Sequence, residues 1–481
     1  MLHRLATSTH QLWKIMAKSP PTEPLIVILG ATGTGKSKLA VDLARRYNGE
    51  IINADAMQMY RGLPIVTNKI PENERYGVKH HLLDIIELDA KPWTVHDFVR
   101  EGSKTIEDIR GRGKLPIVIG GTSYYVYSLL FQESLVTMTE SEEGSEAEKS
   151  QAEIRETGQR HDAPLLEGTN EQLYQRLVDI DPAAAQTWHP NERRKVQRAL
   201  EIWLSTGKKP SNVYAEQEAR KTCSSSSGAS LVRYDPLLFW LTAEKDLLRD
   251  RLNARVDTML QQGLLQEVKM MRQLERAARE NNVELDQTKG IWVSIGYKEL
   301  KAWLEMSEAQ KYADDTGKND AVSRTLSDGI EAVKAATRRY ANVQEHWLRG
   351  RLAKTLSSAN MLDNLFVLDC TDVCAWEEKI LMPSSDVVAK FLAGTNLPQN
   401  TSLSELAVKT FAKMDSSTPF ERKVHYCESC KITLMSNEEW LHHLKSRKHQ
   451  KVMDGIKKRA KRDEYLARTR RSEYRELGEP P

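Results

Sequence analysis

The sequence predicts an α/β fold in which helices cover both faces of a mostly parallel sheet, with a helical insertion and a small C-terminal module. Three observations predict it. Apolar runs of strand length alternate with amphipathic stretches over residues 24–131, which is typical of parallel strands joined by helices. The first apolar run, LIVILG, ends in a glycine-rich loop that leads into a helix. Two cysteines followed by two histidines near the end of the chain indicate a separate metal-binding module.

The predicted core elements follow one another in a regular order. Strand LIVILG leads into the loop helix, and then come strands EIINAD and HHLLDII, a helix around TVHDFVREGSKTIEDIRGRG and strand LPIVIGG. Strand PLLFWLT resumes the sheet, long amphipathic helices continue to Arg351, and strand LFVLDC rejoins the same body. This order predicts a discontinuous core over residues 23–135 and 235–395. We expect ligands at the carboxyl ends of its strands, where the glycine-rich loop lies.

The glycine-rich loop is the first candidate site. Residues 30–37 fit G-x-x-x-x-G-K-[ST], so the core is expected to be P-loop NTPase-like. Glycines let backbone N–H groups surround an oxyanion, and the following helix points its positive end at the anion. Lys36 adds a point charge and the Ser37 hydroxyl can ligate Mg²⁺, but the pattern does not distinguish a nucleotide from another diphosphate. The predicted phosphate-binding residues are Gly30, Thr32, Gly33, Thr34, Gly35, Lys36 and Ser37.

Shifts in composition predict the remaining domains. Residues 136–234 form a mostly helical insertion, which starts with an acidic stretch, continues with a basic helical region and ends near KTCSSSSGAS. A stretch containing Pro and Ser predicts a linker over residues 396–420. The C-terminal module then occupies residues 421–481.

That module carries a metal-binding pattern. Cys427, Cys430, His443 and His449 give the spacing C-x2-C-x12-H-x5-H. Two thiolates on a hairpin and two imidazoles on a helix predict a closed tetrahedral Zn²⁺ site, with no open position for catalysis. So small a module depends on the metal to fold. The basic tail after His449 can contact phosphates, so RNA binding is expected, and binding to a protein alone stays open.

Overall composition narrows the function classes. Of 481 residues 40% are hydrophobic, which supports a sizeable core and more than one domain. No apolar run is long enough to span a membrane, and the mean hydropathy is −0.56. The net charge is only +3, so affinity for nucleic acid must come from local clusters of charge. Five mostly scattered cysteines indicate a reducing compartment rather than a disulfide framework.

Both ends of the chain carry basic segments. Residues 1–22 contain no acidic residue and their apolar residues can share one helical face, which fits a mitochondrial transit peptide and equally a disordered basic leader. The segment KSRKHQKVMDGIKKRAKR fits a nuclear signal or a nucleic-acid-binding tail. We therefore expect a mitochondrial and cytoplasmic protein, and a nuclear fraction is a further expectation.

A series of segments resembles the tRNA dimethylallyltransferase family. They are EIINADAMQMYRGLPIVTNK, HHLLD, GGTSYYV, HPNERRKVQRALEIWLSTGKKPS, LRDRLNARVDTMLQQGLLQEV, SIGYKEL and TRRYANVQEHW. They follow the family's order between Pro24 and Arg349, and eukaryotic members also carry the terminal finger. The resemblance implies that the loop holds dimethylallyl diphosphate and that the dimethylallyl group passes to N6 of an adenosine, at position 37 beside the anticodon of tRNA. The implied partners are the anticodon stem-loop and the prenyl donor, and a monomer is expected.

The resemblance also implies roles for single residues. Asp55 matches the catalytic acid that binds or deprotonates N6, Thr122 a residue near the bridging oxygen, and Arg251 a diphosphate-binding arginine. Arg255, one helical turn further on, is a second candidate, and a surface ion pair explains it equally well. Gln58 is expected on the adenine side of the pocket. The residues matching the RNA-contacting stretch of the insertion are Arg194, Lys195, Gln197 and Arg198.

Some positions depart from the family pattern. Ala56 stands where Ser is usual, so one polar contact near the base is missing. Asn342 and Val343 stand where Lys and Arg are usual, which weakens the expectation that this helix supplies phosphate-binding charge.

Three other functions remain open. A nucleotide kinase would hold ATP and Mg²⁺ with Lys36 and Ser37, although LPIVIGG ends in GGT with no metal-binding carboxylate. An adenylate isopentenyltransferase would modify a free nucleotide, which needs neither the basic insertion nor the finger. A non-enzymatic RNA-binding scaffold is disfavoured by the intact loop and by Asp55.

Overall fold

The computed structural model describes residues 19–131, 164–216, 219, 232–283, 285–310, 319–415 and 422–476. The chain divides into two compact units: residues 1–135 and 224–417 form unit 1, and residues 136–223 and 418–481 form unit 2. Most of the expected targeting segment, the acidic stretch of the insertion and KTCSSSSGAS lie outside the described residues.

A parallel sheet is the centre of unit 1. Its strand order is β3-β2-β4-β1-β5-β6, and every neighbouring pair is parallel. This confirms the predicted α/β class and brings the ends of distant sequence segments to one edge. The strands are β1 (Pro24–Gly30), β2 (Gly49–Asn53), β3 (His80–His81), β4 (Leu115–Ile119), β5 (Asp235–Thr242) and β6 (Leu365–Asp369).

Helices surround this sheet, and others build unit 2. Those of unit 1 are α1 (Lys36–Arg46), α2 (Val95–Gly111), α3 (Ser123–Leu130), α7 (Lys245–Gln262), α8 (Leu264–Glu280), α9 (Tyr297–Gln310), α10 (Asn319–Trp347), α11 (Ala353–Ser358), α12 (Met382–Leu392) and α13 (Glu405–Asp415). Those of unit 2 are α4 (Asn170–Ile180), α5 (Pro182–Ala185), α6 (Arg193–Thr206), α14 (Asn437–Lys445) and α15 (Arg447–Glu476). Among the described residues, no helix has the length and apolar character that crossing a bilayer requires.

Both faces of the sheet are buried, as predicted. Along β1, Leu25, Val27 and Leu29 belong to one apolar cluster, and Ile26 and Ile28 belong to a second. Successive strand residues point to opposite faces, so the two clusters lie on the two sides of the sheet. The second cluster includes α1 and the first includes α2. Each fully buried aliphatic side chain contributes about 1.5–3 kcal/mol, which makes the sheet a rigid support for the loops at its edge.

The strand expected over HHLLDII is shorter than predicted. Only His80–His81 pairs with β2. Leu82 and Asp84 adopt left-handed backbone conformations, with φ of 56° and 55°. Such conformations are incompatible with a ladder, so the chain leaves the sheet after two residues.

The predicted linker over residues 396–420 is wrong for its described part. Residues Glu405–Asp415 form α13, and Ala407 and Phe411, one turn apart, are buried in the core. The Ser404 hydroxyl accepts a hydrogen bond from the Ala407 N–H at 3.0 Å and caps the helix. The core therefore extends to residue 415, because a short apolar helical face was hidden within a polar composition.

Unit 2 contains the helices of the insertion and the C-terminal hairpin–helix module. In the insertion, α4 starts with a capping box at Thr169, and Leu173 and Leu177 form a cluster with Leu200 of α6. In the C-terminal module, strands β7 (Arg422–Cys427) and β8 (Ile432–Ser436) form an antiparallel hairpin followed by α14. This is the hairpin and helix that the metal-binding spacing predicts.

Candidate active site

The glycine-rich loop lies between β1 and α1. Gly30, Gly33 and Gly35 have φ of 141°, 85° and 91°, which L side chains rarely adopt. The Thr34 hydroxyl donates to the Ala31 carbonyl at 2.9 Å. The loop is therefore folded over the N-terminus of a helix, the arrangement that binds oxyanions in P-loop proteins.

Lys36 closes the same loop. Its Nζ donates to the Ala31 carbonyl oxygen at 2.8 Å. Burial lowers the pKa of Lys36 to about 8, and the nearby Asp55 carboxylate opposes part of that shift. A diphosphate oxygen is a better partner for a buried ammonium than a neutral carbonyl, so Lys36 is arranged to bind an arriving anion.

Asp55 lies just beyond the end of β2. Its Oδ1 accepts a hydrogen bond from the Met57 N–H at 3.0 Å. The next residue, Ala56, donates its N–H to the Thr122 hydroxyl at 3.0 Å, which joins this turn to the turn after β4. Burial raises the pKa of Asp55, while the Met57 N–H and Lys36 lower it in part. A carboxylate with a raised pKa is a stronger base.

A glycine permits the close approach of these two turns. A Cβ on Gly121 would lie 2.4 Å from Oδ2 of Asp55. The Gly121 carbonyl accepts hydrogen bonds from Tyr340 Oη at 3.2 Å and from Gln344 Nε2 at 2.8 Å. The GGT turn after β4 therefore lies against the carboxylate and is held there by α10.

Gln344 joins the two halves of the site. Its Oε1 accepts from the Thr32 N–H at 2.8 Å, while its Nε2 donates to the Gly121 carbonyl. Neither Gln344 nor Tyr340 was identified as a site residue from the sequence, although their four-residue spacing in TRRYANVQEHW could have indicated a shared helix face. Asn342 and Val343, where basic residues are usual in the family, are exposed, so these two positions add no positive charge to the site.

The two predicted arginines have different surroundings. Arg255 Nη2 donates to the Thr32 hydroxyl at 2.9 Å. Arg255 Nε is buried and has no hydrogen-bond partner among the described residues, and burial lowers the pKa of Arg255 to about 10. Arg251 instead donates to the backbone carbonyls of Cys370, at 2.6 Å, and Thr371. The surface ion pair considered for Arg255 is therefore wrong, because its guanidinium is buried against the glycine-rich loop.

Most of the predicted RNA-contacting residues lie on α6, in unit 2. Arg194 and Lys195 are exposed, and Lys195 lies over the Trp188 ring, 4.9 Å from its centre. Arg198 pairs with Glu201 at 3.2 Å. Gln197 Nε2 donates to the Leu166 carbonyl at 3.3 Å, so its side chain also holds α6 in place.

Gln58 belongs to unit 1. Its backbone N–H donates to the Asp55 carbonyl at 3.1 Å, and its Nε2 donates to the Asn68 carbonyl at 3.1 Å. The side chain therefore fixes the polypeptide that follows the Asp55 turn.

The four predicted metal ligands come together in unit 2. One ligand atom from each of Cys427, Cys430, His443 and His449 lies within 4.8 Å of the others. His449 Nδ1 is 3.6 Å and 3.4 Å from the two sulfurs and 3.1 Å from His443 Nε2. Tetrahedral coordination places such atoms roughly 3.3–3.8 Å apart, so this cluster fits one metal ion.

Comparisons with known proteins agree with this geometry. A family model described as IPP transferase matches residues 58–351, and one described as isopentenyl transferase matches residues 24–89. The tRNA dimethylallyltransferase of Schizosaccharomyces pombe is 34% identical, covering 92% of this chain and 97% of the relative. The human tRNA dimethylallyltransferase is also 34% identical, covering 92% and 88%.

One solved structure is similar to this chain over most of its length. It is described as a eukaryotic dimethylallyltransferase acting on tRNA, with a TM-score of 0.71 and 30% identity, and the match covers 92% of this chain and all of that one. The P-loop sheet, the turn that carries Asp55 and the Cys2His2 cluster, taken with these matches, establish that the chain belongs to the IPP transferase family, the tRNA dimethylallyltransferases.

Proposed function

We propose that this chain transfers the dimethylallyl group of dimethylallyl diphosphate to N6 of an adenosine in tRNA, at position 37, and releases diphosphate. One observation supports this most directly. The amide of Gln344 bonds to the glycine-rich loop through Thr32 and to the turn beside Asp55 through Gly121. A phosphate site and a buried carboxylate are thus held in fixed register, as transfer from a diphosphate to a nitrogen nucleophile requires.

Asp55 acts on the acceptor. The adenine N6 amine is a weak nucleophile, so a positioned carboxylate accepts its hydrogen bond and then its proton. The N6 lone pair forms a bond to C1 of the dimethylallyl group as the bond from C1 to the bridging oxygen breaks. The electron pair of that broken bond leaves with diphosphate. A base stacked in an anticodon loop reaches a site at this depth only after extrusion from the loop.

Diphosphate, the leaving group, is stabilised by positively charged and N–H groups around the glycine-rich loop. The loop N–H groups, Lys36 and the buried guanidinium of Arg255 provide positive potential where charge develops on diphosphate. The Thr122 hydroxyl accepts from Ala56, so its own proton is free to be donated to the bridging oxygen. Arg251 holds the segment after β6 and lies on the neighbouring helical turn, from which it adds charge to the same region.

We propose two metal ions, one in the active site and one with a structural role in the C-terminal module. The Ser37 hydroxyl, at the first turn of α1, would hold Mg²⁺ together with diphosphate oxygens, a donor set of the kind this ion prefers. Mg²⁺ would neutralise part of the charge on the leaving group. Zn²⁺ would occupy the Cys427, Cys430, His443 and His449 cluster, where the four ligands leave no open position and the role is structural.

The anticodon stem-loop of tRNA is the proposed macromolecular partner. Arg194, Lys195, Gln197 and Arg198 would contact its backbone, and Gln58 would lie beside the target adenine. We further propose that the protein works as a monomer. Since residues 1–22 fit a transit peptide, we propose mitochondrial as well as cytoplasmic location, with a nuclear fraction directed by the basic tail. Fusing residues 1–22 to a fluorescent protein tests the first destination.

The function is tested with the purified full-length protein. Unmodified tRNA and dimethylallyl diphosphate are incubated with it, the tRNA is digested, and nucleosides are analysed by mass. Isopentenyladenosine is the expected product, and replacing adenosine 37 with guanosine should abolish it. Transfer to free adenylate would indicate an adenylate isopentenyltransferase, and hydrolysis of ATP without prenyl transfer would indicate a kinase-like enzyme.

A further inference from the structure

The helix that follows the GGT turn, α3, is accessible to solvent only at its start. Every residue from Tyr125 to Leu130 is buried. Tyr125 stacks on Phe98, with the ring centres 4.6 Å apart, and its hydroxyl donates to the Trp93 carbonyl at 3.1 Å. The accessible end of α3 is therefore its first turn, which comes directly after Thr122.

Tyr124 occupies this accessible turn. It is 42% exposed, in contrast to the two buried tyrosines of the same helix, Tyr125 and Tyr127. Among the described residues, its hydroxyl has no hydrogen-bond partner, and its ring has no aromatic or cationic neighbour. Single exposed apolar residues are common on protein surfaces, so the exposure of Tyr124 matters only because of where the residue lies.

The turn before Tyr124 belongs to the acceptor side of the active site. A Cβ on Gly121 would lie 2.4 Å from Asp55 Oδ2, and the Thr122 hydroxyl accepts from the Ala56 N–H at 3.0 Å. A side chain on an α-helix leans towards the helix N-terminus and covers the turn before its own Cα. The Tyr124 ring is therefore directed towards the GGT turn, which lies against the Asp55 carboxylate.

A base that has left the stack of an RNA loop needs a new surface for its faces. Enzymes and RNA-binding proteins hold such a base by hydrogen bonds to its edge and by stacking on aromatic side chains. The Asp55 carboxylate can accept a hydrogen bond from N6, but it leaves both faces of the purine uncovered. The Tyr124 ring offers a planar surface of the kind on which bases stack.

We propose that the extruded adenine stacks on Tyr124 while Asp55 accepts the hydrogen bond from N6. This inference rests on the proposed function, because it concerns how the acceptor of that reaction is held. A neutral ring suits a nucleobase better than the diphosphate of the donor, since phosphate oxygens are bound by cations and N–H groups. Stacking fixes the plane of the purine, and the hydrogen bond to Asp55 fixes its rotation within that plane.

The test is a double-mutant cycle between the side chain and the base. The full-length protein, as wild type and as Tyr124→Ala, is bound to two synthetic anticodon stem-loops. One RNA has adenosine at position 37 and the other has an abasic nucleotide there. Tyr124→Ala should weaken binding of the adenosine RNA about tenfold, as expected when one base loses an aromatic partner. The affinity for the abasic RNA should stay unchanged.

Three further variants make the result specific. Tyr124→Phe retains the ring and should bind both RNAs as wild type does. Tyr76→Ala removes another exposed tyrosine, whose ring lies 4.8 Å from the guanidinium of Arg45 in the last turn of α1, and should change neither affinity. Tyr124→Leu keeps an apolar side chain without a planar ring, and it repeats the test if the alanine variant has a lower melting temperature than wild type.

Equal weakening with both RNAs would mean that Tyr124 contacts another part of the stem-loop, and unchanged affinity with both would mean that it makes no contact. Either result overturns the inference. Prenyl transfer from dimethylallyl diphosphate to the adenosine stem-loop by wild type, measured by mass, tests the proposed function separately. Absence of isopentenyladenosine would count against that function, whereas transfer by wild type without coupling in the cycle would overturn the role of Tyr124 alone.

Discussion

At the scale of single residues, Asp55 shows how burial and position make a carboxylate useful. It is held by the Met57 N–H and lies against Gly121, and burial raises its pKa. Asp55→Asn preserves the size and shape of the side chain but removes the carboxylate that accepts the proton of N6. We expect turnover to fall about a hundredfold or more, within the range for loss of a general base, with tRNA binding nearly unchanged. Single-turnover kinetics and filter binding measure the two effects.

The matched control for this change is Asp89→Asn, which replaces an exposed aspartate. It should retain wild-type turnover. Near-normal activity in Asp55→Asn would mean that Asp55 is structural and that the proton of N6 goes to another group.

Lys36 predicts a pH dependence. Its pKa is lowered to about 8 by burial, so the free enzyme loses this positive charge as the pH rises through that value. A bound diphosphate raises the pKa again by adding negative charge. We expect kcat/KM for dimethylallyl diphosphate to fall above pH 8, while kcat persists to higher pH. As the pH is lowered, protonation of Asp55 removes the base. Because burial raises the pKa of Asp55, this loss of activity begins at a higher pH than it would if the base were an exposed aspartate.

Steady-state kinetics over a pH series, with tRNA saturating, separate these two effects. A value of kcat/KM that stays constant well above pH 8 would contradict the assigned role of Lys36.

At the scale of elements, α10 decides whether the phosphate loop and the Asp55 turn stay in register. Gln344→Leu removes hydrogen bonds to the Thr32 N–H and the Gly121 carbonyl and leaves both groups buried without that partner. Leaving a buried donor or acceptor without its hydrogen-bond partner costs about 1–3 kcal/mol of free energy. We expect kcat to fall at least about tenfold, because roughly 1.4 kcal/mol of misalignment corresponds to a factor of ten. The KM for tRNA should change little.

The control lies on the same helix. Asn342→Leu alters an exposed position two residues away and should leave kcat unchanged. If both variants lose activity equally, the effect comes from the helix in general and not from the amide that bridges the site.

The strands and the glycine-rich loop could be predicted from local patterns, because apolar runs of strand length and the glycine-lysine spacing are properties of neighbouring residues. Gln344 could not, since both residues to which its amide bonds, Thr32 and Gly121, lie more than 200 positions away from it in the chain. The different contacts of Arg251 and Arg255 were also beyond the sequence. Four-residue spacing places both on one helix face but does not show that only Arg255 reaches the glycine-rich loop.

At the scale of the whole molecule, the insertion and the metal-binding module belong to one unit although about 200 residues separate them. His189 Nε2 lies 3.0 Å from the Thr433 carbonyl, so the segment before α6 contacts the hairpin of the module. The basic residues of α6 and those of α15 therefore belong to one compact body. A two-part basic surface of this kind fits a long RNA substrate better than a free nucleotide.

The metal cluster provides the test at this scale. Cys427→Ser removes one of four metal ligands, so we expect loss of bound Zn²⁺ and unfolding of the module. Affinity for tRNA should fall, and the slope of log affinity against log salt should become shallower, because fewer phosphates are neutralised. Turnover at saturating tRNA should stay close to wild type, since Asp55 and the glycine-rich loop lie in the other unit.

Elemental analysis of the purified protein and fluorescence binding to tRNA at several salt concentrations measure these effects. Cys374→Ser is the matched control, because it makes the same chemical change at an exposed cysteine outside the cluster. Unchanged tRNA affinity in Cys427→Ser, together with lost Zn²⁺, would assign the module to a protein partner. A loss of turnover at saturating tRNA would instead mean that unit 2 positions the anticodon loop for catalysis as well as binding it.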